Sequence, residues 1–377
     1  MKGINQEWAF DFGIGTPTEG YIGVSADTLY DDDRGYGFQG NGQVFARNRM
    51  DRDVKVMGEE QLQQSFCIPK GMDFIIKIPD GTYRITAEIG DAIADTHTII
   101  RAGENKAVLP PISTFQGEFK KVMFTVAARN GNLVLKFTGL APRINNLHIS
   151  PVETLTLFIA GDSTVTDQAA IGYPYAGWGQ ILPALFKYDV LVDNHAISGR
   201  SSRSFIEEGR LDEISEKMKS GDFLFVQFGH NDEKSDPKRG TKPYTTYKQH
   251  LKEYIVAAKE KQACPVFITP VHRRYFNDDG TLSDTHGDYI IAMKELAVEE
   301  NIPLIDLAAE SKILFEEAGI EGSKRYFMWT YPGEYINHPG GVEDNTHFQE
   351  LGALRLAERV AEQIRQLDLQ PLRMYLR

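Results

Sequence analysis

Four short stretches of this 377-residue chain, from residue 161 onward, hold residue types that together can carry out acyl transfer: Gly161-Asp162-Ser163-Thr164, Ser198-Gly199-Arg200, Gly229-His230-Asn231-Asp232 and Asp344-Asn345-Thr346-His347. A serine hydroxyl becomes a nucleophile at neutral pH when a histidine takes its proton, and that histidine needs a carboxylate to fix its tautomer. Ser163, His347 and Asp344 fit these roles. Asp344 and His347 stand three residues apart at the expected entrance of a helix, so one short loop presents both side chains on the same side. The developing oxyanion needs donors, and the N–H of Ser163, the N–H of Gly199 and the side-chain amide of Asn231 can supply them. Each motif alone has a plainer structural reading as a turn, a helix cap or loop polarity. Their shared placement at the ends of elements is what points to one site.

The elements that must position these residues change character along the chain. Up to about residue 150, short alternating runs at 74–78, 83–89, 121–127 and 133–137, punctuated by Asp80-Gly81 and Asn130-Gly131, predict an antiparallel β-sandwich. A junction falls at 149–154. Beyond it, apolar strands at 155–160, 190–194, 223–228, 266–269 and 304–306 alternate with helical patterns at 179–187, 204–219, 245–262, 286–300 and 348–367. Such alternation predicts a parallel sheet covered on both faces. In such a sheet ligands bind beyond the carboxyl ends of the strands, where the first three motifs fall. The last helix places Phe348, Leu351, Leu354, Ala357, Ala361 and Ile364 on one expected apolar stripe. The expected domains are therefore residues 1–152 and 153–377.

Composition narrows the classes of partner. With 53 acidic against 41 basic residues the net charge is −12, which repels polyphosphate and anionic lipid. No nucleic acid and no membrane surface is expected as a partner, and no run reaches the roughly 18 apolar residues of a membrane span. The two cysteines, Cys67 and Cys264, read as reduced core residues. Glu7 and Asp11 interrupt any signal-like start, so a cytoplasmic location is expected, or a secreted one if a leader has been removed. Asp31-Asp32-Asp33 reads as a solvated turn rather than a calcium loop.

The blocks GDST, SGRSSRSF, GHND and DNTHF resemble the four sequence blocks of the SGNH (GDSL-type) hydrolases. Within that superfamily the wording GDSTV, GWGQ, GRSSRSF, QFGHND and DNTHF is similar to the rhamnogalacturonan acetylesterases, carbohydrate esterase family twelve. The resemblance spans residues 154–367. It implies a flavodoxin-like three-layer α/β/α fold, no cofactor and no metal, a Ser163–His347–Asp344 triad, and Gly199 and Asn231 as oxyanion donors. The G-x-S-x-G elbow of the α/β-hydrolases is absent. The amino-terminal sandwich resembles galactose-binding-like domains in pattern only; Trp8, Phe10 and Tyr36 are either a sugar platform or core.

The activity implied is removal of O-acetyl groups from pectic rhamnogalacturonan oligosaccharides through an acyl-enzyme. Xylan-type deacetylation, thioester cleavage and a catalytically silent sugar-binding protein are the alternatives. An acetylated oligosaccharide bearing uronate carboxylates calls for local positive charge in an acidic protein. Arg200 and Arg203 follow the second block, and His272-Arg273-Arg274 follows the fourth strand; each cluster reads equally as ordinary surface charge. Trp329, Tyr331 and Tyr335, in an expected loop at 326–337, suit stacking on sugar rings or core packing. His230 is expected to pack beneath Asn231 and orient it, with substrate contact as a second role. Neither His195 nor His230 belongs to a metal-ligand spacing. A homo-oligomer is possible.

Overall fold

The computed structural model describes residues 6–49 and 61–377. It divides into two compact units, Met1–Thr154 with Phe186–Leu191, and Leu155–Leu185 with Val192–Arg377. Residues 1–5, on which the reading of the chain's start partly rests, lie outside the described residues.

The first unit is an antiparallel β-sandwich. One sheet runs in the order Ile22–Val24, Trp8–Phe12, Asn146–Pro151, Gly81–Gly90, Phe119–Ala128; the other is built on Tyr36–Asn48, Ser65–Lys77, Asn132–Ala141 and Thr96–Ala102. Within it, Trp8–Phe12 pairs in parallel with Ile22–Val24, and Leu29 makes an isolated parallel bridge to Phe38. Alternate residues turn inward, so Tyr83, Ile85, Ala87 and Ile89 on one strand are all fully buried. Phe10 belongs to this core rather than to a platform, edge-on to Phe74 at 5.2 Å, and Tyr36 packs on it at 5.2 Å. Trp8 stands edge-on to Tyr83 at 6.0 Å. Asp31 accepts from the N–H groups of Asp33 and Arg34, both at 3.0 Å, which is the capped turn expected of that acidic triplet.

The second unit carries a parallel sheet of five strands, Leu155–Gly161, Val190–Asn194, Phe223–Gln227, Cys264–Ile268 and Leu304–Ile305, in the spatial order 2-1-3-4-5. The strands are mostly apolar because helices cover both faces, and Leu224, Phe225 and Val226 are fully buried. That strand order puts a topological switch between the first and third strands.

Several expectations need correcting. The helix expected at 204–219 is two helices, Ser202–Glu207 and Arg210–Lys217, broken at Gly209, whose φ of 72° a helix cannot continue. A helix at Leu307–Gly322 was not anticipated; Asp306 caps it and Leu307, Ala308, Ser311, Leu314 and Phe315 form its buried face. The last helix begins at Glu350, and its buried stripe is Ala353, Leu356, Ala357, Val360, Ala361 and Ile364, leaving Leu351 exposed. Residues 342–349 form a strand, not a loop leading into that helix. With Tyr175–Ala176 and Phe327–Thr330 it makes a separate three-stranded antiparallel sheet, so Trp329 lies in a strand as well. Among the described residues no helix is long and apolar enough to cross a membrane.

Candidate active site

The serine turn follows directly from the first strand of the parallel sheet. Asp162 folds it: its carbonyl accepts from the N–H groups of Val165 and Thr166, both at 3.1 Å, and its Oδ1 from the Thr164 N–H at 2.9 Å and hydroxyl at 2.8 Å. The GWGQ stretch then packs against the turn at backbone distance. A Cβ on Gly177 would stand 2.4 Å from the Val165 carbonyl carbon, and one on Gly179 2.6 Å from the Val165 oxygen. Trp178 donates its indole N–H to Gln227 at 2.9 Å, and Gln227 donates to the Thr164 hydroxyl at 2.7 Å. These fully paired buried groups hold Ser163 in place from the inner side.

Asp344 and His347 come from the other end of the unit. In a regular strand, residues three apart face opposite sides, so the two could not cooperate. The strand is instead bulged: Phe327 pairs with Phe348 while Trp329 pairs with Glu343, so five residues advance on one strand against two on its neighbour. The displaced residues curl around the Asp344 carboxylate, whose Oδ1 accepts from the N–H of Thr346 at 2.7 Å and of His347 at 3.1 Å. Its Oδ2 lies 2.7 Å from His347 Nδ1, and His347 Nε2 lies 2.9 Å from Ser163 Oγ. Burial pushes the Asp344 carboxyl up, but the imidazole and the two backbone N–H groups outweigh it and hold the group below the usual carboxylate range. An ionised Asp344 accepts a hydrogen bond from Nδ1–H, which keeps the proton on Nδ1 and leaves Nε2 free to accept from the serine.

The remaining two blocks are tied to this turn by hydrogen bonds. Ile197 donates its N–H to the Gly161 carbonyl at 3.0 Å, and Thr166 donates its hydroxyl to the Ala196 carbonyl. Gln168 Nε2 donates to the Ser163 carbonyl at 3.1 Å and reaches the Ser198 hydroxyl at 3.5 Å. Gly199 sits at φ 81°, a conformation that favours glycine, and a Cβ there would meet nothing closer than Arg239 Nη1 at 4.0 Å. Asn231, 3% exposed, donates to the Arg200 carbonyl at 3.0 Å and accepts from Lys234 Nζ at 2.8 Å, which fixes which way its amide points. Asp232 accepts from both the N–H and the hydroxyl of Ser202, locking the third block to the helix after Gly199.

The residues expected to meet substrate fare differently. Arg200 pairs with Glu208 at 3.0 Å and Arg203 with Glu207 at 2.7 Å. Arg273 is paired with Glu233 and donates to Thr285 at 3.0 Å, so all three arginines are matched by carboxylates. His272 is buried, and burial pushes its imidazole down to about 4, so it is neutral and serves the fold. His230 is 3% exposed; its Nδ1 is 3.3 Å from Asp162 Oδ2 and its ring stands edge-on to His286 at 4.5 Å. Burial pushes it too down to about 4, so neither ring carries the positive charge a substrate carboxylate seeks. Tyr331 is 76% exposed, while Tyr335 stands edge-on to Tyr173 at 5.9 Å. His195 is 3.0 Å from Asp193 and buried. Among the described residues no group of three His, Cys, Asp or Glu side chains is placed to hold a metal ion.

Trp329 and Arg274 acquire a different part. The Arg274 N–H donates to the Asn345 carbonyl at 2.7 Å, and its guanidinium to the Asn345 side-chain oxygen at 3.1 Å; the Trp329 indole donates to that same oxygen at 2.9 Å. The guanidinium also lies over the Trp329 ring, 4.9 Å from its centre. This clamp grips the bulge between Asp344 and His347. Tyr175, whose ring stands edge-on to His347 at 5.1 Å, closes the imidazole's other side. Sequence reads Arg274 as part of the His272-Arg273-Arg274 cluster of positive charge for a substrate, whereas the structure spends it on Asn345 and Trp329; Tyr175 is not singled out from sequence. The signal for Tyr175 was its place two residues before GWGQ; that for Asn345 was its place inside DNTH.

Residues 159–353 match the GDSL-like lipase/acylhydrolase family, and residues 8–108 match the galactose-binding-like domain of β-agarase/YxiM-type esterases. Rhamnogalacturonan acetylesterase RhgT of Bacillus subtilis is 51% identical over 224 residues, covering 59% of this chain and 95% of that protein. The probable rhamnogalacturonan acetylesterase YesY of the same organism is 45% identical over 214 residues, 56% of this chain and 94% of that protein. The crystal structure of YxiM, also from Bacillus subtilis, superimposes with a TM-score of 0.53 at 27% identity, covering 97% of this chain and 99% of that one, and so includes both domains. The chain belongs to the GDSL-like lipase/acylhydrolase family and is a carboxylic ester hydrolase of the SGNH type, similar to rhamnogalacturonan acetylesterases, with an amino-terminal galactose-binding-like domain.

Proposed function

We propose that this esterase removes acetyl groups from acetylated rhamnogalacturonan fragments. The observation that carries the reading is the unbroken chain from Asp344 through His347 to Ser163, at 2.7 and 2.9 Å. In this reading Ser163 Oγ attacks the acetyl carbonyl as its proton passes to His347 Nε2, and the imidazolium formed is stabilised by Asp344. The oxyanion is received by the N–H groups of Ser163 and Gly199 and by the Asn231 amide. His347 then gives its proton to the departing sugar oxygen, and water, activated by the same ring, releases acetate. The pectic substrate is supported by the 51% identity to RhgT over nearly all of that protein's length, and by the exposed Tyr331 ring as a surface for a sugar.

Ser163→Ala should leave the fold intact by circular dichroism and lower turnover of an aryl acetate by at least about 1,000-fold. Undiminished turnover in that variant would end the mechanism. Acetate release from acetylated rhamnogalacturonan, measured beside acetylated xylan and an acyl thioester, tests the substrate: the pectic glycan should be the best of the three.

A further inference from the structure

An acidic protein that accepts a uronate must present at least one cation not already matched by a carboxylate. The arginines nearest the motifs are each already engaged by a carboxylate, Arg200 by Glu208, which it shares with Arg210, Arg203 by Glu207 and Arg273 by Glu233. Lys234 is not. It is exposed, it follows the GHND block by two residues, and among the described residues no carboxylate lies within ion-pair distance of its ammonium. One of its three donors is spent on Asn231 Oδ1 at 2.8 Å. Partial burial disfavours its charge, Arg239 and Arg273 repel it, and Asp162 and Glu233 attract it without reaching ion-pair distance. Arg239 is held by Asp236 at 2.6 Å through Nε, and its Nη1 lies 4.0 Å from where a Cβ on Gly199 would stand. An unmatched ammonium thus sits on one pole of the amide whose other pole is the proposed oxyanion donor.

Resting on the pectic reading above, we propose that Lys234 is the carboxylate subsite, pairing with the uronate carboxylate of the sugar ring that is being deacetylated. The ammonium keeps its bond to Asn231 and offers its remaining N–H groups to the carboxylate, with Arg239 adding positive potential on the Gly199 side. Substrate charge and ester are then read across a single side-chain amide, which places both on one sugar residue rather than at distant points of a chain.

The test compares acetylated rhamnogalacturonan oligosaccharides with free carboxylates against the same preparation with its carboxylates methyl-esterified. The ratio of kcat/KM for the two cancels any effect of a substitution on Asn231 itself. Wild type should favour the free acid by about tenfold, a preference that shrinks as salt is raised. Lys234→Gln should bring the ratio close to one, and Lys234→Arg should retain most of it. A ratio unchanged in Lys234→Gln, or equal rates on both preparations by wild type, would overturn the subsite while leaving the pectic reading standing. Wild type that cleaves an aryl acetate yet frees no acetate from either preparation would remove the pectic reading and the subsite together.

Discussion

Asp232 offers a prediction whose size follows from its surroundings. The side chain is fully buried and accepts from the Ser202 N–H at 3.1 Å, from the Ser202 hydroxyl and from Thr241 at 3.3 Å. Burial, with the Asp162 carboxylate adding to it against these hydrogen bonds, pushes its carboxyl up to about 7 from 3.8. A folded-state value above the unfolded one means that the native protein holds the proton more tightly. The stabilisation is therefore complete below about pH 4 and is lost as the pH rises through 7. At about 1.4 kcal/mol per pH unit, ionisation costs the fold about 4 kcal/mol in all, about 3 kcal/mol of it between pH 5 and pH 8. Asp232→Asn keeps an acceptor for Ser202 and places its amide N–H against the Ser202 hydroxyl, which can turn to accept. Urea unfolding followed by the fluorescence of Trp178 and Trp329 at pH 5 and pH 8 measures the effect. Wild type should lose about 3 kcal/mol more than Asp232→Asn over that interval, and the variant should be the more stable of the two at pH 8. Parallel pH slopes for the two proteins would refute the reasoning.

Three further outcomes are expected. Arg274→Met opens the clamp on Asn345, so kcat on an aryl acetate should fall about 10- to 100-fold with KM within about twofold, and Arg274→Lys should lie between; wild-type kcat in the methionine variant would show that the bulge holds itself. Gly199→Ala forces a side chain onto φ 81°, so the urea midpoint should correspond to a loss of about 1–2 kcal/mol, and an unchanged midpoint would contradict the strain argument. In the sandwich, Asp91 is fully buried between Arg49 at 2.6 Å and Arg143 at 3.2 Å, and although burial raises its carboxyl, the two guanidiniums hold it below the usual range. Its stabilisation is present above about pH 4 and lost on acidification. Asp91→Ala should cost about 3–5 kcal/mol at pH 7, and a sandwich that unfolds at the wild-type denaturant concentration would count against it.

The parallel sheet was legible because strands buried on both faces leave short apolar runs, as at 223–228, and these alternate with amphipathic helical patterns. The serine turn and its partners were legible because a fixed geometry demands a fixed wording. What escaped was everything decided by a distant partner. Charge patterning marked Arg200, Arg203 and Arg273 as available cations, yet each is cancelled by a carboxylate that only folding brings beside it. Residues 342–349, VEDNTHFQ, are too polar to read as a strand, and the three-residue register shift that makes them useful leaves no local trace. Trp329 reads as a sugar-stacking ring by type, whereas its indole N–H and face are occupied by Asn345 and Arg274. The Leu307–Gly322 helix was missed although its buried positions recur at helical spacing, since the small residues of its first turn weaken the apolar stripe.

Ser163 and His347 are separated by 184 positions in the chain. A ribosome making this protein delivers the sandwich first, then the serine turn and the loops that cradle it, while the imidazole is still untranslated. The nascent polypeptide thus carries an inert alcohol through most of its synthesis. The site is complete only once the bulged strand joins its sheet, so a polypeptide that stops short of His347 lacks the base that activates Ser163.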